Sequence, residues 1–248
     1  MAGSGSTAQQ NAMKHWLQEY QNACPEVQLR YNPIGSGGGV AEFLLGATHF
    51  GGSDTPLSED DVEFSSRACP GSRAIDLPMV GGPVAIGYNV DGVDSLVLDA
   101  STLARIFDSR ITMWNDPEIR RLNPGAQLPE TEISAVHRSD DSGTTQNFNA
   151  YLADAAPDEW PYEKAKAWQA RGGHAASGSD GVVSTVSSQN GSKWEGAAYH
   201  ATPSRANIQV RGVRQVRKVK HERAGADLVL TSAGVRSGPF GCVVLDRC

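Results

Sequence analysis

The sequence has no apolar run long enough to span a membrane. A membrane-spanning helix needs roughly 18 consecutive apolar residues, and no window of this 248-residue chain approaches that length. The first residues, Met1-Ala2-Gly3-Ser4, also lack the basic and apolar regions of a signal peptide. We therefore expect a soluble globular protein whose sequence shows no targeting segment.

Net positive charge is lacking as well. The chain carries 22 Lys and Arg residues against 28 Asp and Glu residues, a formal charge of -6. A general nucleic-acid binder gathers Lys and Arg to neutralise backbone phosphates, so this composition argues against that class. An acidic chain can still bind one anion in a local pocket. With 39% hydrophobic residues, the chain can bury a sizeable core in one large domain or two smaller ones.

The charge is divided unevenly along the chain. Residues 1–190 carry a net charge of -12, whereas residues 191–248 carry +6. Seven basic residues lie between Arg205 and Arg223, and the last stretch is rich in Gly, Ser and Val. Such a basic block is typical of a nucleic-acid or membrane-surface patch. It is also what a non-native tail, such as the product of a frameshift, would contain, and we favour that interpretation.

Up to about residue 190, predicted helices alternate with predicted strands. The i, i+3, i+4, i+7 spacing of one apolar helix face predicts a helix from about Gln9 to Ala23, with Met13, Trp16, Leu17 and Tyr20 on that face. Further helices are predicted to begin after the glycine-rich turn at 35–39, at Ser101 as a cap, and at Asp116-Pro117-Glu118. Another is predicted after Ser142-Gly143-Thr144, with Phe148, Tyr151 and Leu152 on its apolar face. Strands are predicted at Val27 to Ile34, His49 to Gly52, Ile75 to Val80, Pro83 to Asn89 and Ile133 to His137. This is the pattern of an α/β fold, in which ligands lie at the carboxyl ends of strands.

Three loops before predicted helices are rich in Gly, Ser and Thr. A helix N-terminus presents unpaired N–H groups and the positive end of the helix dipole, so it suits an anion, and small hydroxyl residues add donors. The loops are Gly3-Ser4-Gly5-Ser6-Thr7, Ile34-Gly35-Ser36-Gly37-Gly38-Gly39 and Asp140-Asp141-Ser142-Gly143-Thr144-Thr145. One such loop is usually an ordinary helix cap, but three in one chain favour an anion site. None ends in the Gly-Lys-Ser/Thr of a nucleotide P-loop.

Three charged residues sharpen that prediction. Arg138 lies four residues before Ser142, so the end of a strand can place its planar guanidinium beside the same helix N-terminus. Asp140 could orient the guanidinium, and the alternative is a surface salt bridge of little consequence. Asp54 should repel an anion unless that anion carries a proton. Phosphate keeps at least one O–H at neutral pH and can donate it to Asp54, whereas sulfate has none. Without such a ligand, Asp54 would be a turn or cap residue.

At these motifs the sequence resembles a known family. In order and spacing, four segments resemble the phosphate-binding protein of the bacterial high-affinity phosphate ABC transporter: Ile34-Gly35-Ser36-Gly37-Gly38-Gly39, Gly51-Gly52-Ser53-Asp54, Asp116-Pro117 with Leu122-Asn123-Pro124-Gly125, and His137-Arg138-Ser139-Asp140-Asp141-Ser142-Gly143-Thr144-Thr145. Two further segments are most similar to the actinobacterial branch: Ser6-Thr7-Ala8-Gln9-Gln10 and Trp160-Pro161-Tyr162. The resemblance covers about Gly3 to Asn190 and then stops.

The resemblance implies a periplasmic-binding-protein-like α/β fold of type II, in which two lobes close on a ligand in the cleft between them. It places a partial first lobe at residues 1–82, a second lobe at residues 83–190 and a family-unlike basic tail at residues 191–248. The family would continue beyond Asn190 with the rest of the second lobe and a return segment that completes the first lobe. We therefore expect a fold that is incomplete at its C-terminus, with sheet edges and apolar faces left uncovered.

For the site, the resemblance implies phosphate binding without catalysis, metal or cofactor. The residues at the family's contact positions are Thr7, Ala8, Ser36, Asp54, Arg138, Ser142, Gly143 and Thr144. Asp140 matches the acid that braces the arginine. The resemblance also suggests a disulfide between Cys24 and Cys69. From spacing alone, four cysteines allow three pairings, and two unrelated buried thiols are about as compatible with the sequence.

The implied partners are inorganic phosphate and the membrane permease subunits of an ABC importer. The resemblance implies a monomer that binds no nucleic acid. Relatives of this branch are exported and usually lipid-anchored, so an extracytoplasmic location at the cell surface or in the periplasm is expected.

Three other functions stay open. A receptor for a different oxyanion, such as sulfate or molybdate, is distinguished by the role of Asp54. A phosphatase or acyl-transfer enzyme would use Ser142 or Ser36 as nucleophile, but there is no Gly-x-Ser-x-Gly elbow, and His137 has no evident orienting acid. A basic adhesion or nucleic-acid module built on the tail is the third.

Overall fold

A computed structural model describes residues 1–93 and 95–188, and the backbone of residues 194–200 and 208–210. The remainder of the predicted tail at 191–248 lies outside the described residues. The described strands are β1 (Ala2–Gly5), β2 (Arg30–Pro33), β3 (Phe50–Gly52), β4 (Ala85–Tyr88), β5 (Leu96–Leu98), β6 (Glu132–Arg138), β7 (His174–Ala176), β8 (Trp194–His200) and β9 (Ile208–Val210). The described α-helices are α1 (Gln10–Ala23), α2 (Ser36–Leu44), α3 (Glu59–Phe64), α4 (Ala100–Phe107), α5 (Pro117–Leu122), α6 (Gly143–Ala155) and α7 (Gly178–Ser188). The predicted α/β class is confirmed.

Strand β1 is the centre of a parallel sheet with the order β2-β1-β3. The sequence predicted only a loop here, because Ala2–Gly5 carries no apolar alternation. Small residues are needed because a Cβ atom at Gly3 would lie 2.2 Å from the ring of Phe50. The strand ends just before helix α1, which places Ser6 and Thr7 at the carboxyl edge of the sheet.

Helix α2 packs backbone to backbone against β1. A Cβ atom at Gly39 would lie 2.3 Å from the Cα atom of Gly5 and 2.6 Å from the carbonyl oxygen of Ser4. Gly5 itself has a φ of 143°, where an L side chain is strained. The predicted glycine-rich turn therefore permits a close approach that brings the first turn of α2 to the end of β1.

Helix α1 confirms the predicted helix but is only partly covered. None of its residues is buried. Its predicted apolar face is half-buried along its whole length, at Met13, Trp16, Leu17 and Tyr20. The first sheet therefore receives less apolar cover from this helix than the sequence pattern implied.

The segment at Ile75 to Val80, predicted as a strand, is not a strand in the structure, so that prediction was wrong. Its apolar side chains face solvent: Ile75 is 76% exposed, Leu77 62% and Met79 65%. A strand requires pairing with a neighbour as well as favourable residues. Asp76 anchors the segment instead, because its carboxylate accepts the N–H of Leu57 at 3.3 Å.

The second sheet has the order β4-β8-β6-β7. Strands β7 and β8 pair in parallel with β6, and β4 pairs antiparallel with β8. Strands β5 and β9 form a separate parallel pair. Because β6 and β7 run parallel and lead into α6 and α7, the N-termini of these two helices emerge at the same sheet edge.

A single large core stabilises the chain around this second sheet. Its central members are fully buried aromatic side chains: Phe107 and Trp114 are 0% exposed and Phe148 is 2% exposed. Phe107 meets Phe148 edge to face, with ring centroids 4.9 Å apart. Aliphatic residues from several elements complete the cluster, including Leu96, Leu98, Leu103, Ile106, Ile119 and Leu152.

Two predicted helix starts had different outcomes. Asp116 caps α5 as predicted, accepting the N–H of Glu118 at 2.8 Å with Pro117 in the first turn. For α4 the cap is Asp99, which accepts the N–H of Thr102 at 2.8 Å, so the predicted Ser101 cap was wrong. No helix in the described part of the chain has the length and apolar character needed to cross a membrane.

Candidate anion-binding site

Four helix N-termini come together where the two sheets approach each other. The first turns of α2 and α6 are joined by a hydrogen bond from Gly37 N to the carbonyl oxygen of Asp141, at 2.9 Å. The residues at the starts of α1 and α7 are joined by the hydroxyls of Thr7 and Ser179, 2.8 Å apart. Each helix is at least nine residues long. Their positive dipole ends and unpaired N–H groups are therefore concentrated in one place.

Asp54, in the loop after β3, connects the two sheets. Its Oδ2 atom accepts hydrogen bonds from Thr144 Oγ1 at 3.0 Å and from Ser36 Oγ at 3.5 Å. Its Oδ1 atom accepts from the hydroxyl of Ser6, and its main-chain oxygen accepts from Asn147 Nδ2 at 3.0 Å. Hydroxyls from the first turns of α2 and α6 thus converge on one carboxylate.

Arg138 ends strand β6 and is only 3% exposed. Its Nε donates to Asp140 Oδ1 at 2.7 Å, and a terminal guanidinium nitrogen donates to Oδ2. Asp140 Oδ1 also accepts the N–H of Gly178 at 3.0 Å. Burial alone would raise the pKa of Asp140, but the hydrogen bonds from Arg138 and Gly178 and the charge of Arg138 together hold it below its ordinary value. A buried cation is therefore fixed at the start of α7 by an ionised carboxylate.

Thr7 and Ala8 stand at the start of α1 and are both partly buried. Ser179 N donates to Thr7 Oγ1 at 3.1 Å, in addition to the contact between the two hydroxyls. Ala8 N donates to Ser6 Oγ at 3.1 Å. An anion contacting the Ala8 N–H would have to share or replace that bond.

Ser142 and Gly143 shape the start of α6. Ser142 is the helix cap, and its Oγ atom accepts the N–H of Thr145 at 3.3 Å. A Cβ atom at Gly143 would lie 2.7 Å from Ser36 Oγ and 2.9 Å from the Cβ atom of Asp54. Gly143 therefore allows the first turns of α2 and α6 to approach each other across the site.

The structure brings all eight predicted contact residues to this one region. Each lies in one of the helix N-terminal turns, in the loop after β3 or at the end of β6: Thr7, Ala8, Ser36, Asp54, Arg138, Ser142, Gly143 and Thr144. Asp140 braces Arg138 as the resemblance implied. That these residues contact an anion stays a prediction.

Two residues of the cluster were missing from the predicted set. Ser6 and Ser179 are 1% and 4% exposed, and they bond to Asp54 and Thr7 respectively. Ser6 belongs to the first glycine- and serine-rich loop. Gly178-Ser179 begins α7 with the same composition as the other three loops, and this composition was the signal that could have found it.

His137, the candidate base of the alternative enzyme hypothesis, faces the aromatic core. Its ring stacks on Trp168, with centroids 4.8 Å apart and planes 8° apart, and its Nδ1 atom shares a hydrogen bond with the carbonyl oxygen of Arg138 at 2.9 Å. Burial lowers the pKa of His137, the bond to that carbonyl raises it, and nearby His174 lowers it further, so the net shift is downward. No hydrogen bond described for this part of the chain joins the ring to a serine hydroxyl, as activation of a nucleophile requires.

The suggested disulfide between Cys24 and Cys69 stays a prediction. Cys24 is disulfide-bonded and 1% exposed, and Cys69 is buried at 0% exposure. The two remaining cysteines, Cys242 and Cys248, lie outside the described residues. Within the described residues, no group of three or more His, Cys, Asp or Glu side chains could hold a metal ion.

Comparisons with known proteins agree with this geometry. Residues 1–230 match the sequence profile of the PBP superfamily domain. The chain is 46% identical over 192 residues to the phosphate-binding protein PstS 3 of Mycobacterium leprae, which covers 77% of this chain and 52% of that protein. This chain therefore spans about half the length of the curated relatives that it matches.

Solved structures show the same fold. A phosphate-binding protein from Stenotrophomonas maltophilia is similar with a TM-score of 0.64 at 19% identity, covering 86% of this chain and 64% of that one. A high affinity periplasmic phosphate-binding protein, PfluDING, solved with bound phosphate, is similar with a TM-score of 0.61 at 25% identity. That match covers 81% of this chain and 56% of the other.

Proposed function

The chain belongs to the PBP superfamily, and on that premise we propose that it binds inorganic phosphate, without catalysis, for delivery to an ABC-type importer. One observation carries the proposal. The buried guanidinium of Arg138 is held by Asp140 beside the converging helix N-termini. A fixed buried cation among helix N–H groups and hydroxyls is complementary to a small oxyanion.

The donors around Arg138 match the shape of a tetrahedral ligand. A phosphate ion has four oxygens that point in different directions, so its donors must come from several elements. Ser36 lies on α2, Thr144 on α6 and Thr7 just before α1. Ser36 and Thr144 are 1% and 2% exposed. Hydrogen bonds from buried donors to a charged acceptor are among the stronger ones in proteins.

Asp54 selects phosphate over sulfate in this proposal. Its Oδ2 atom lies between the hydroxyls of Ser36 and Thr144, the same hydroxyls that we assign to the anion. An acceptor at that position needs a donor on the ligand. Phosphate brings an O–H, whereas sulfate would place a bare oxygen against a carboxylate.

We further propose that residues 1–82 and 83–190 are two lobes that close on the ligand. The contacts of Thr7 with Ser179 and of Asp54 with Thr144 connect the first sheet and its helices to the helices of the second sheet. Each contact involves a residue that we assign to the anion. Ligand binding and approach of the two lobes would therefore be coupled.

The partners follow from the relatives. The M. leprae protein is a phosphate-binding protein by name, and PfluDING is named as a periplasmic phosphate-binding protein. We propose by analogy that this chain acts as a monomer outside the cytoplasm, anchored at the membrane as in its branch, and docks on permease subunits.

Isothermal titration of the phosphate-stripped chain with phosphate, and then with sulfate at matched ionic strength, tests the proposal. We expect one-to-one binding of phosphate and no heat with sulfate. In Asp54→Asn, discrimination against sulfate should be relaxed, because the amide can donate a hydrogen bond to a bare oxygen.

Arg138→Ala is the matched loss-of-binding variant. We expect phosphate affinity to fall by about 30-fold or more, since removing a buried charged partner costs about 2 kcal/mol or more. Tight sulfate or molybdate binding by the unmodified chain would instead identify a receptor for another oxyanion. Absence of binding by a chain that circular dichroism shows to be folded would reject the proposed function.

A further inference from the structure

Ser6 contacts Asp54 but has no role in the proposed function. It lies between β1 and α1 and is 1% exposed. Its hydroxyl donates to Asp54 Oδ1 and accepts the N–H of Ala8 at 3.1 Å. Its main-chain N–H donates to Gly52 O at 2.8 Å, and its carbonyl oxygen accepts the hydroxyl of Tyr31 at 3.0 Å. The backbone of Ser6 is fixed by hydrogen bonds on both sides, and its hydroxyl oxygen already accepts the N–H of Ala8. The hydroxyl therefore donates in one direction, toward Asp54.

The two carboxylate oxygens of Asp54 have different neighbours. Oδ2 accepts from Ser36 and Thr144, both of which we assign to the anion. Oδ1 accepts from Ser6, which we do not. On anion binding the hydroxyls of Ser36 and Thr144 can turn to the ligand, while Ser6 remains on Oδ1.

We propose that Ser6 is a positioning residue that fixes Oδ1 of Asp54 and so aims Oδ2 at the O–H of the bound anion. This inference rests on the proposed function and deepens it. The terminal torsion of an Asp side chain is broad, so nothing intrinsic holds the carboxylate in one orientation. A buried hydroxyl on one oxygen restricts that rotation.

The effect of Ser6 is on selectivity more than on affinity in general. Discrimination between phosphate and sulfate depends on the direction of the Asp54 lone pair, because hydrogen bonds weaken steeply when misaligned. A carboxylate that can rotate accepts the phosphate O–H less well and repels a bare oxygen less consistently. Ser6 therefore acts on the ligand through Asp54.

Ser6→Ala tests this inference by titration with phosphate and with sulfate. We expect the phosphate dissociation constant to rise about tenfold, which corresponds to the loss of one good hydrogen bond. The ratio of sulfate to phosphate dissociation constants should fall by at least that factor. A variant that weakens phosphate and sulfate equally, or leaves the ratio unchanged, would overturn the inference.

Ser4→Ala is the matched control. Ser4 lies in β1 two residues before Ser6, is 0% exposed, and its hydroxyl has no hydrogen-bond partner among the described residues. The same truncation at this neighbouring buried serine should leave both the affinity and the ratio unchanged. If Ser4→Ala changed the selectivity as much as Ser6→Ala does, the effect would come from truncating any buried serine in this part of the chain. That result would contradict a specific role for Ser6.

A double-mutant cycle tests the Ser6–Asp54 contact without any ligand. Thermal unfolding is measured for Ser6→Ala, Asp54→Asn and the double variant. If Ser6 holds Asp54, the loss of Tm in the double variant is smaller than the sum of the single losses, because the contact can be removed only once. Additive losses would overturn the inference even if phosphate binds. If the unmodified chain does not bind phosphate, the proposed function fails, and non-additive losses still support the positioning contact.

Discussion

Residues 1–82 bury few apolar side chains, whereas residues 83–188 enclose a continuous aromatic core. In the first region the buried hydrophobic residues are Cys24, Val40, Cys69 and Ala74. In the second region they include Phe107, Trp114, Phe148 and most of the large aliphatic residues of the cluster around them. The large apolar side chains most exposed in the described chain all lie between Leu45 and Val84.

The difference shows that the predicted contacts are divided equally between a region with a large apolar core and a region with little apolar burial. Four of the eight predicted contacts, namely Thr7, Ala8, Ser36 and Asp54, belong to the region with little apolar burial. That region has close backbone packing at Gly5 and Gly39, polar bonds at the site and a disulfide at Cys24. A ligand that binds across both regions would therefore stabilise the first one most, by mass action.

The largest expected effect is that of Phe107→Ala in the second region. Phe107 is 0% exposed and packs edge to face on Phe148. Removing its ring should lower the free energy of unfolding by about 3–5 kcal/mol, through lost burial and the cavity that remains. Urea unfolding followed by tryptophan fluorescence measures this, since Trp114 and Trp160 are buried in the same core.

Phe43→Ala in α2 is the same truncation in the first region. Phe43 is half-buried, so the loss should stay below about 2 kcal/mol. If Phe43→Ala destabilised the protein as much as Phe107→Ala, the first region would have a core of its own, and the contrast between the regions would be wrong.

An intermediate effect is expected for Asp140→Asn, which removes the charge that balances buried Arg138. The Arg138 side chain is 2% exposed, so the variant should lose about 1.5–3 kcal/mol of unfolding free energy at neutral pH. The folded-state pKa of Asp140 is lowered. Its contribution is therefore complete above the ordinary value of 3.8 and is lost as the pH falls below that value.

Urea unfolding at about pH 7 and at about pH 3 measures how much the charge of Asp140 contributes to the free energy of unfolding. The gap between the unmodified chain and Asp140→Asn should narrow at the lower pH, because protonation removes the same charge. A gap of equal size at both values would mean that the charge of Asp140 does not stabilise the fold.

The smallest expected effect is that of Leu77→Ser in the exposed segment. Leu77 is 62% exposed, so the free energy of unfolding should change by no more than about 0.5 kcal/mol. Light scattering at high protein concentration should decrease, because an exposed apolar patch favours association. Leu103→Ser, at a position that is 0% exposed, is the control and should destabilise strongly. A large loss of stability from Leu77→Ser would show that this segment is covered in solution.

Where apolar periodicity reports burial, the sequence predicted the fold well. The pattern through Phe148, Tyr151 and Leu152 predicts α6, and the run from Ile133 to His137 predicts β6, which is longer by one residue at each end. Strand β1 was missed because glycine and serine carry no such pattern, although their small size is what its neighbours require. The strand predicted at 75–80 was wrong because β-propensity does not supply a pairing partner.

The predicted contact residues were brought together, but the bonds among them could not be read from the sequence. Ser6 and Ser179 were not among the predicted contacts, and only the tertiary structure places their hydroxyls on Asp54 and Thr7. Spacing alone likewise leaves several cysteine pairings possible, so the disulfide between Cys24 and Cys69 stays a prediction. Local composition predicted which loops form the site. Packing between distant parts of the chain determines which side chains contact each other.

The backbone contact between Gly39 and Gly5 limits what sequence variation can reveal about this site. Neither position has room for a single additional carbon atom. Homologues with the same packing should therefore retain glycine at both, close to the serines and the aspartate that we propose for phosphate binding. Invariance would not distinguish the glycines from the proposed binding residues. The glycines would be conserved because no larger residue fits, and the binding residues because of what their side chains contact.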